Sequence, residues 1–326
     1  MKPLYYFKIF LTAFYLFIST GVHSAPQDVT LGSYLTSLYN IDSDRGIFSA
    51  DIWIWTKSKA PFNYKPQDNL EMSYLSSQFP LMYIGQSSEI LPGKIYYSQK
   101  KVQGTFLHDY ELAKFPFDRQ RLKIYFEDAD LNLQQLKFIS DKASGFDPEI
   151  SIDGWKIVNI EARSDVKQYQ TNFGNETKVG DDQYSRVILE IILKRDAPLI
   201  FLKITLGLFA AVLVAMFSTF MNAESDDLYS ARLGLLGATL LAVVVNQQFA
   251  DGKIGQTTTV TLIDSLHMLG FTTVFILFIA AIFSRRLHSS PIGNMTHTVF
   301  DRFSFVISLG IFTLLSFVLI RSAIIS

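Results

Sequence analysis

Cysteine is absent from the 326-residue chain. That absence excludes disulfides, thiolate nucleophiles and cysteine-ligated metal sites. Charge of either sign is also in short supply: charged residues make up 18% of the chain, the formal net charge is -1, and there is no long basic run. Nucleic acid is therefore not an expected partner. No set of nucleophile, base and orienting group emerges either. Asp264 and His267 lie three apart in an apolar segment and Asp118 lies near His108 in sequence, but a helix-start acid and a core histidine account for these residues without an enzyme. No cofactor and no metal are expected. What the chain has in abundance is apolar surface, with 49% hydrophobic and 14% aromatic residues, the balance of a membrane protein.

Lys2 and Lys8 bracket the start of an apolar run, IFLTAFYLFIST, which is followed by the small-residue pattern Gly21-Val22-His23-Ser24-Ala25. Residues 1–24 are read as a signal peptide, with an uncleaved first anchor as the alternative. The exported part, 25–196, consists of short alternating runs separated by polar turns, the pattern of an antiparallel, immunoglobulin-like sandwich. In FSADIWIWTK a period of two puts Phe48, Ala50, Ile52 and Ile54 on one face and Asp51, Trp53 and Trp55 on the other. YSRVILEIIL, with Val187, Leu189, Ile191 and Leu193 on one side, reads as the final strand. Residues 40–46 read as a hairpin turn rather than a calcium loop, although two aspartates lie there. The polar stretch between Ile160 and Asp182 is too long for a hairpin turn and is expected to protrude as a loop carrying Tyr169 and Phe173.

The segment HDYELAKFPFDRQRLKIYFED contains Phe115-Pro116-Phe117-Asp118-Arg119-Gln120 followed by a strand. It resembles the loop that names the Cys-loop receptors, and by it the chain is similar to bacterial members of the pentameric ligand-gated ion channel superfamily. His108 and Leu122 stand where animal members have the bridging cysteines. The resemblance extends over nearly the whole mature chain, through Trp155 in IDGWKI, the strand start Tyr184-Ser185-Arg186, SARL opening a second apolar span, and Phe300-Asp301-Arg302 before a fourth. It implies a homopentamer in a bacterial inner membrane. It also implies a small-molecule agonist held between subunits in an aromatic box, a cationic amine being suited to such faces. By position Tyr169 and Tyr184 match that box, Tyr83 and Phe146 match more loosely, and Trp53 or Trp55 comes from the neighbouring subunit. Protons are the alternative trigger. The resemblance further implies that Arg195 pairs with Asp118 where the two domains meet, with Pro116 and Lys253 at the same junction.

Segments 197–220, 228–249, 260–283 and 303–320 are each near the roughly 20 residues that cross a bilayer. Four spans after a cleaved signal put both termini outside the cytoplasm, and Arg285, Arg286 and Arg302 then flank the cytoplasmic loop, as the positive-inside bias requires. Lys203 in the first span snorkels outward, and a kink near Gly207 is left open. The second span carries Gly234, Ala238, Leu241, Val245 and Gln248 at spacings of four and three, one stripe of a helix. The amides Asn246, Gln247 and Gln248 cluster at its end, where a wet lumen accepts them better than lipid. The expected function for 197–326 is a four-helix pore domain in which Leu241, Val245 and Phe249 form apolar collars and inorganic ions permeate. Asp226, Asp227 and Asp251 favour cations, while Ala231-Arg232 at the start of the span keeps anions open. A membrane-anchored sensor without conduction is the runner-up, and an enzyme is third.

Overall fold

The computed structural model describes residues 25–76, 81–171, 174, 182–221, 225–255, 257–289 and 293–325. The expected signal peptide and Phe173 lie outside the described residues. The N-terminal part is a β-sandwich. One sheet has six strands: β1 (Gln27–Asp42), β2 (Ile47–Lys59), β4 (Met82–Leu91), β5 (Ile95–Leu107), β7 (Leu136–Ser140) and β8 (Gly145–Phe146). The second has four, in the order β3 (Leu70–Ser73), β6 (Arg119–Asp128), β10 (Asp182–Arg195), β9 (Trp155–Tyr169). Alternation builds the core between them. Phe48, Ala50, Ile52 and Ile54 of β2 face Val187, Leu189, Ile191 and Leu193 of β10 across one hydrophobic cluster, all at most 1% exposed.

Three expectations need correction. The sandwich is not wholly antiparallel, because β7 and β8 both run parallel to β1. The turn between β1 and β2 is shorter than 40–46, since pairing continues to Asp42↔Ile47; Asp42 there accepts from the Arg45 backbone N–H and its Nε. The stretch after Ile160 is not a loop until residue 170. It continues β9, laddered to β10 as far as Tyr169↔Asp182. Its polarity misleads because β9 is an edge strand with an open face, where the backbone ladder holds the chain extended without apolar side chains.

Four helices follow: α1 (Ala197–Phe217), extended by one 3-10 turn to Phe220, α2 (Asp226–Ile254), α3 (Leu262–His288) and α4 (Gly293–Ile325). Each is long and apolar enough to cross a membrane, so the chain is a multi-pass membrane protein. All but α1 outrun the expected spans. α2 starts at an N-cap, Ser225, and α3 at a capping box in which Thr261 and Asp264 bond each other's backbone N–H. α1 is helical without a break through Gly207, and a side chain there would collide with Asn246 of α2. Lys203 is exposed on the first turns of α1.

One buried charge in the sandwich has a measurable signature. Lys100 of β5 is 1% exposed and donates to the Pro66 carbonyl at 2.5 Å, tying down a one-turn helix, Pro66–Asn69. Burial pushes its ammonium down from 10.5 to about 8, with the Asp68 carboxylate opposing the shift. The unfolded chain thus binds more protons than the folded one between those values, and this lysine makes stability rise with pH across that window. Melting temperatures of the detergent-purified protein at about pH 7.5 and about pH 9.5 should show the wild type gaining on Lys100→Met as pH rises. A constant difference between the two would contradict the assignment.

Candidate functional site

Three groups of residues stand out, and β6 and β10 connect two of them. At the junction of sandwich and helices, Arg195, the last residue of β10, grips Asp118 with Nε at 2.7 Å and Nη2 at 3.1 Å from the two carboxylate oxygens. Asp118 is 2% exposed. The guanidinium lies 4.0 Å from the Trp155 ring and 4.7 Å from the Phe115 ring, and Gln120 Nε2 donates to Asp118 at 2.7 Å. Pro116 is buried within this loop. Around the pair, Leu112 and Phe115 of the loop pack with Ile204, Ala250, Ile254 and Ile263 of three helices. Backbone contacts complete the junction: Leu262 N–H donates to the Ala113 carbonyl and Ser43 Oγ to the Ile254 carbonyl. Lys253 is exposed at the same junction, where it lines a cavity of about 1000 Å³ together with Ser43 and Arg195, its Nζ 5.8 Å from the Phe249 ring centroid.

The second group lies on the outward face of the four-stranded sheet. Tyr169 reaches from β9 across β10 to β6, where its hydroxyl donates to Glu127 at 2.7 Å, and its ring meets Tyr184 edge-on at 5.7 Å. Glu127 is buried to 9% exposure and has no cation within ion-pair distance among the described residues. Its neighbour Arg186 is committed to Asp165 at 2.6 Å and stacks on Tyr125 at 4.8 Å. Burial raises the Glu127 carboxyl above its usual range, and Glu71, opposite it in the β3–β6 ladder, adds to the rise. Sequence reading found no acid for this box; Glu127 supplies one. The available signal was its place in the outward row Arg121, Lys123, Tyr125, Glu127 of β6, but its burial depends on a tyrosine arriving from two strands away.

The other aromatic candidates lie elsewhere. Tyr83 is 59% exposed on β4, and the Lys100 ammonium lies 4.6 Å from its ring centroid. Phe146 pairs alongside Leu35 of β1 and packs against the sandwich core, so the structure does not bring it to Tyr169 and Tyr184. Trp55 donates its indole N–H to Asp141 at 2.9 Å and covers Gly32, while Trp53 is half-buried beside Gly85. Both point away from the core as the alternation requires.

The third group is the stripe on α2. Gly234, Ala238, Leu241, Val245, Gln248 and Phe249 are all exposed, Leu241 by 64%, Val245 by 55% and Phe249 by 52%. On the opposite side Arg232, Leu236, Thr239, Val243 and Ala250 are buried against the rest of the bundle. Asn246 belongs to that buried side, contrary to the expected amide cluster. It donates to the Ile204 carbonyl and to His267 Nε2, each at 2.8 Å, while His267 Nδ1–H donates to the Ile263 carbonyl. Arg232 is fully buried and bonded to Asp301 at 3.0 Å, and Asp226, itself exposed, bonds Arg285. Among the described residues no group of three or more acids and histidines is arranged for a metal.

No protein-family model matches the chain, and no curated protein matches it.

Removing one member of a buried ion pair leaves the other charge uncompensated, at a cost on the order of 3–5 kcal/mol. Arg195→Ala should therefore lower the melting temperature and the yield of assembled protein on size exclusion, and Arg195→Ala with Asp118→Ala should recover part of the loss. A single variant that melts with the wild type would show the pair to be dispensable.

Proposed function

We propose that the chain is a subunit of a homopentameric ligand-gated ion channel of the Cys-loop superfamily, located in a bacterial inner membrane with its sandwich outside the cytoplasm. The observation that carries this reading is the bare stripe of α2. Of the four apolar helices α2 is the least apolar, yet it leaves one whole side, small at one end and amide-bearing at the other, uncovered by its own chain. Lipid is a poor solvent for Gln248. A ring of copies turns the stripe inward around water, and the motif Phe115-Pro116-Phe117-Asp118 sets the ring at five by resemblance.

Leu241 and Val245 then form stacked apolar collars that close the pore by excluding water. Cation selectivity follows from the burial of Arg232, which withholds its charge from the lumen, while Asp227 and Asp251 are exposed at the two ends of α2. The agonist is a small cationic amine seated on Tyr169 and Tyr184, its ammonium neutralising Glu127. A proton on the raised Glu127 carboxyl supplies the same neutralisation, which keeps acid as a second trigger.

Leu241→Ser wets the collar. Pentamers of that variant in liposomes should conduct without agonist, with reversal potentials that follow sodium and potassium rather than chloride. Intact pentamers with no rise in resting conductance would remove Leu241 from the gate. Glu127→Gln in the Leu241→Ser background should keep the leak and lose the response to primary amines. A retained amine response would place the agonist elsewhere.

A further inference from the structure

A cavity of about 700 Å³ opens along the outward face of β6, beside the tyrosine box but built from other side chains. Its volume lies within the range of about 300–1,000 Å³ usual for small-molecule sites. Arg119, Arg121 and Lys123 line it from every second position of the strand, so all three are on one face. Among the described residues Arg119 and Lys123 have no acid within ion-pair distance, and Arg121 has only Glu190, at 3.7 Å. The facing segment contributes Asp109 and Glu111, both exposed. Within the lining three cations face two carboxylates, and Glu190, outside the lining, draws on Arg121, so Arg119 and Lys123 are the two cations without an acid within ion-pair distance among the described residues. His108 adds no positive charge near neutrality, because burial holds its imidazole below the usual range.

The far end of the cavity is apolar. Tyr74 is 56% exposed and Leu107 48% exposed, with the Tyr125 ring 5.3 Å from that of Tyr74. A guanidinium fork matches a carboxylate, and open aromatic surface matches a flat apolar body. A second negative charge on the ligand would meet Asp109 and Glu111. We infer that this cavity binds a small aromatic monocarboxylate, its carboxylate on Arg121 and Lys123 and its ring against Tyr74 and Leu107. The occupant would sit on the strand that joins the two other groups. At one end Tyr125 carries Arg186, and at the other Gln120 bonds both Asp118 and the Glu111 carbonyl.

Fluorine NMR with a fluorinated benzoate and the detergent-purified full chain tests this without any requirement that the chain conduct. Saturable binding to the wild type is expected, and the neutral fluorinated benzyl alcohol should bind roughly tenfold more weakly or worse. Arg121→Gln with Lys123→Gln should weaken the benzoate by the same order, roughly tenfold. Should that double variant fail to fold, Tyr74→Ala, at an exposed position, should weaken it several-fold. Absence of wild-type binding, equal binding of the alcohol, or unchanged affinity in the variants would each overturn the site.

Discussion

The fold turns on the ion pair between Arg195 and Asp118. Only Asp196 separates the last strand, β10, from the first membrane helix, α1, so the orientation of the sandwich over the bundle is decided within a residue or two of Arg195. A charge that close to a bilayer surface would ordinarily seek water. Here it is held by two carboxylate oxygens and enclosed by Trp155 and Phe115, which replaces hydration with fixed partners. The same loop presents Leu112 and Phe115 to Ile204, Ala250, Ile254 and Ile263. Polar pair and apolar cluster thus make one joint: the pair fixes direction and the cluster fixes depth.

From that joint two strands lead outward to the tyrosine box. β6 runs from the neighbourhood of Asp118 to Glu127, and β10 from Arg195 back to Tyr184, with Leu193↔Gln120 and Val187↔Phe126 in register between them. Neutralising Glu127 therefore acts at one end of a laddered pair whose other end holds the ion pair. On the proposed reading, coupling needs no separate relay. It needs two stiff strands and a second arrangement of the joint, and the short contacts of Ser43 with Ile254 and of Ala113 with Leu262 pass any shift to α2 and α3.

Much of this was legible in the sequence for a specific reason: period-two alternation survives wherever one face of a strand is buried. It identified the inward faces of β2 and β10 residue by residue, and length with hydropathy located the four helices. β9 escaped beyond Ile160 because there its inward row, Ala162, Ser164, Val166 and Gln168, is too weakly apolar to show a period of two, so its extended state is written in β10 rather than in itself. Asn246 was misassigned by composition, which grouped it with its two neighbouring amides. Its spacing, three after Val243 and four before Ala250, put it in the buried row of α2. Glu127 and Tyr169 could not be paired from sequence at all, since they are brought together by the order β6-β10-β9 of one sheet.

The central claim is that the uncovered side of α2 faces water in a pore rather than lipid. The lack of cysteine makes the chain its own background for single-cysteine labelling. Cysteine placed at the stripe, as Ala238→Cys, Leu241→Cys and Val245→Cys, is compared with cysteine at the buried positions, Leu236→Cys and Val243→Cys, in proteoliposomes. A membrane-impermeant, charged thiosulfonate should modify the stripe and change the ion flux, leaving the buried positions untouched. Stripe cysteines that resist the charged reagent and react only with a lipid-soluble maleimide would put that face in the bilayer and contradict a pore lined by α2.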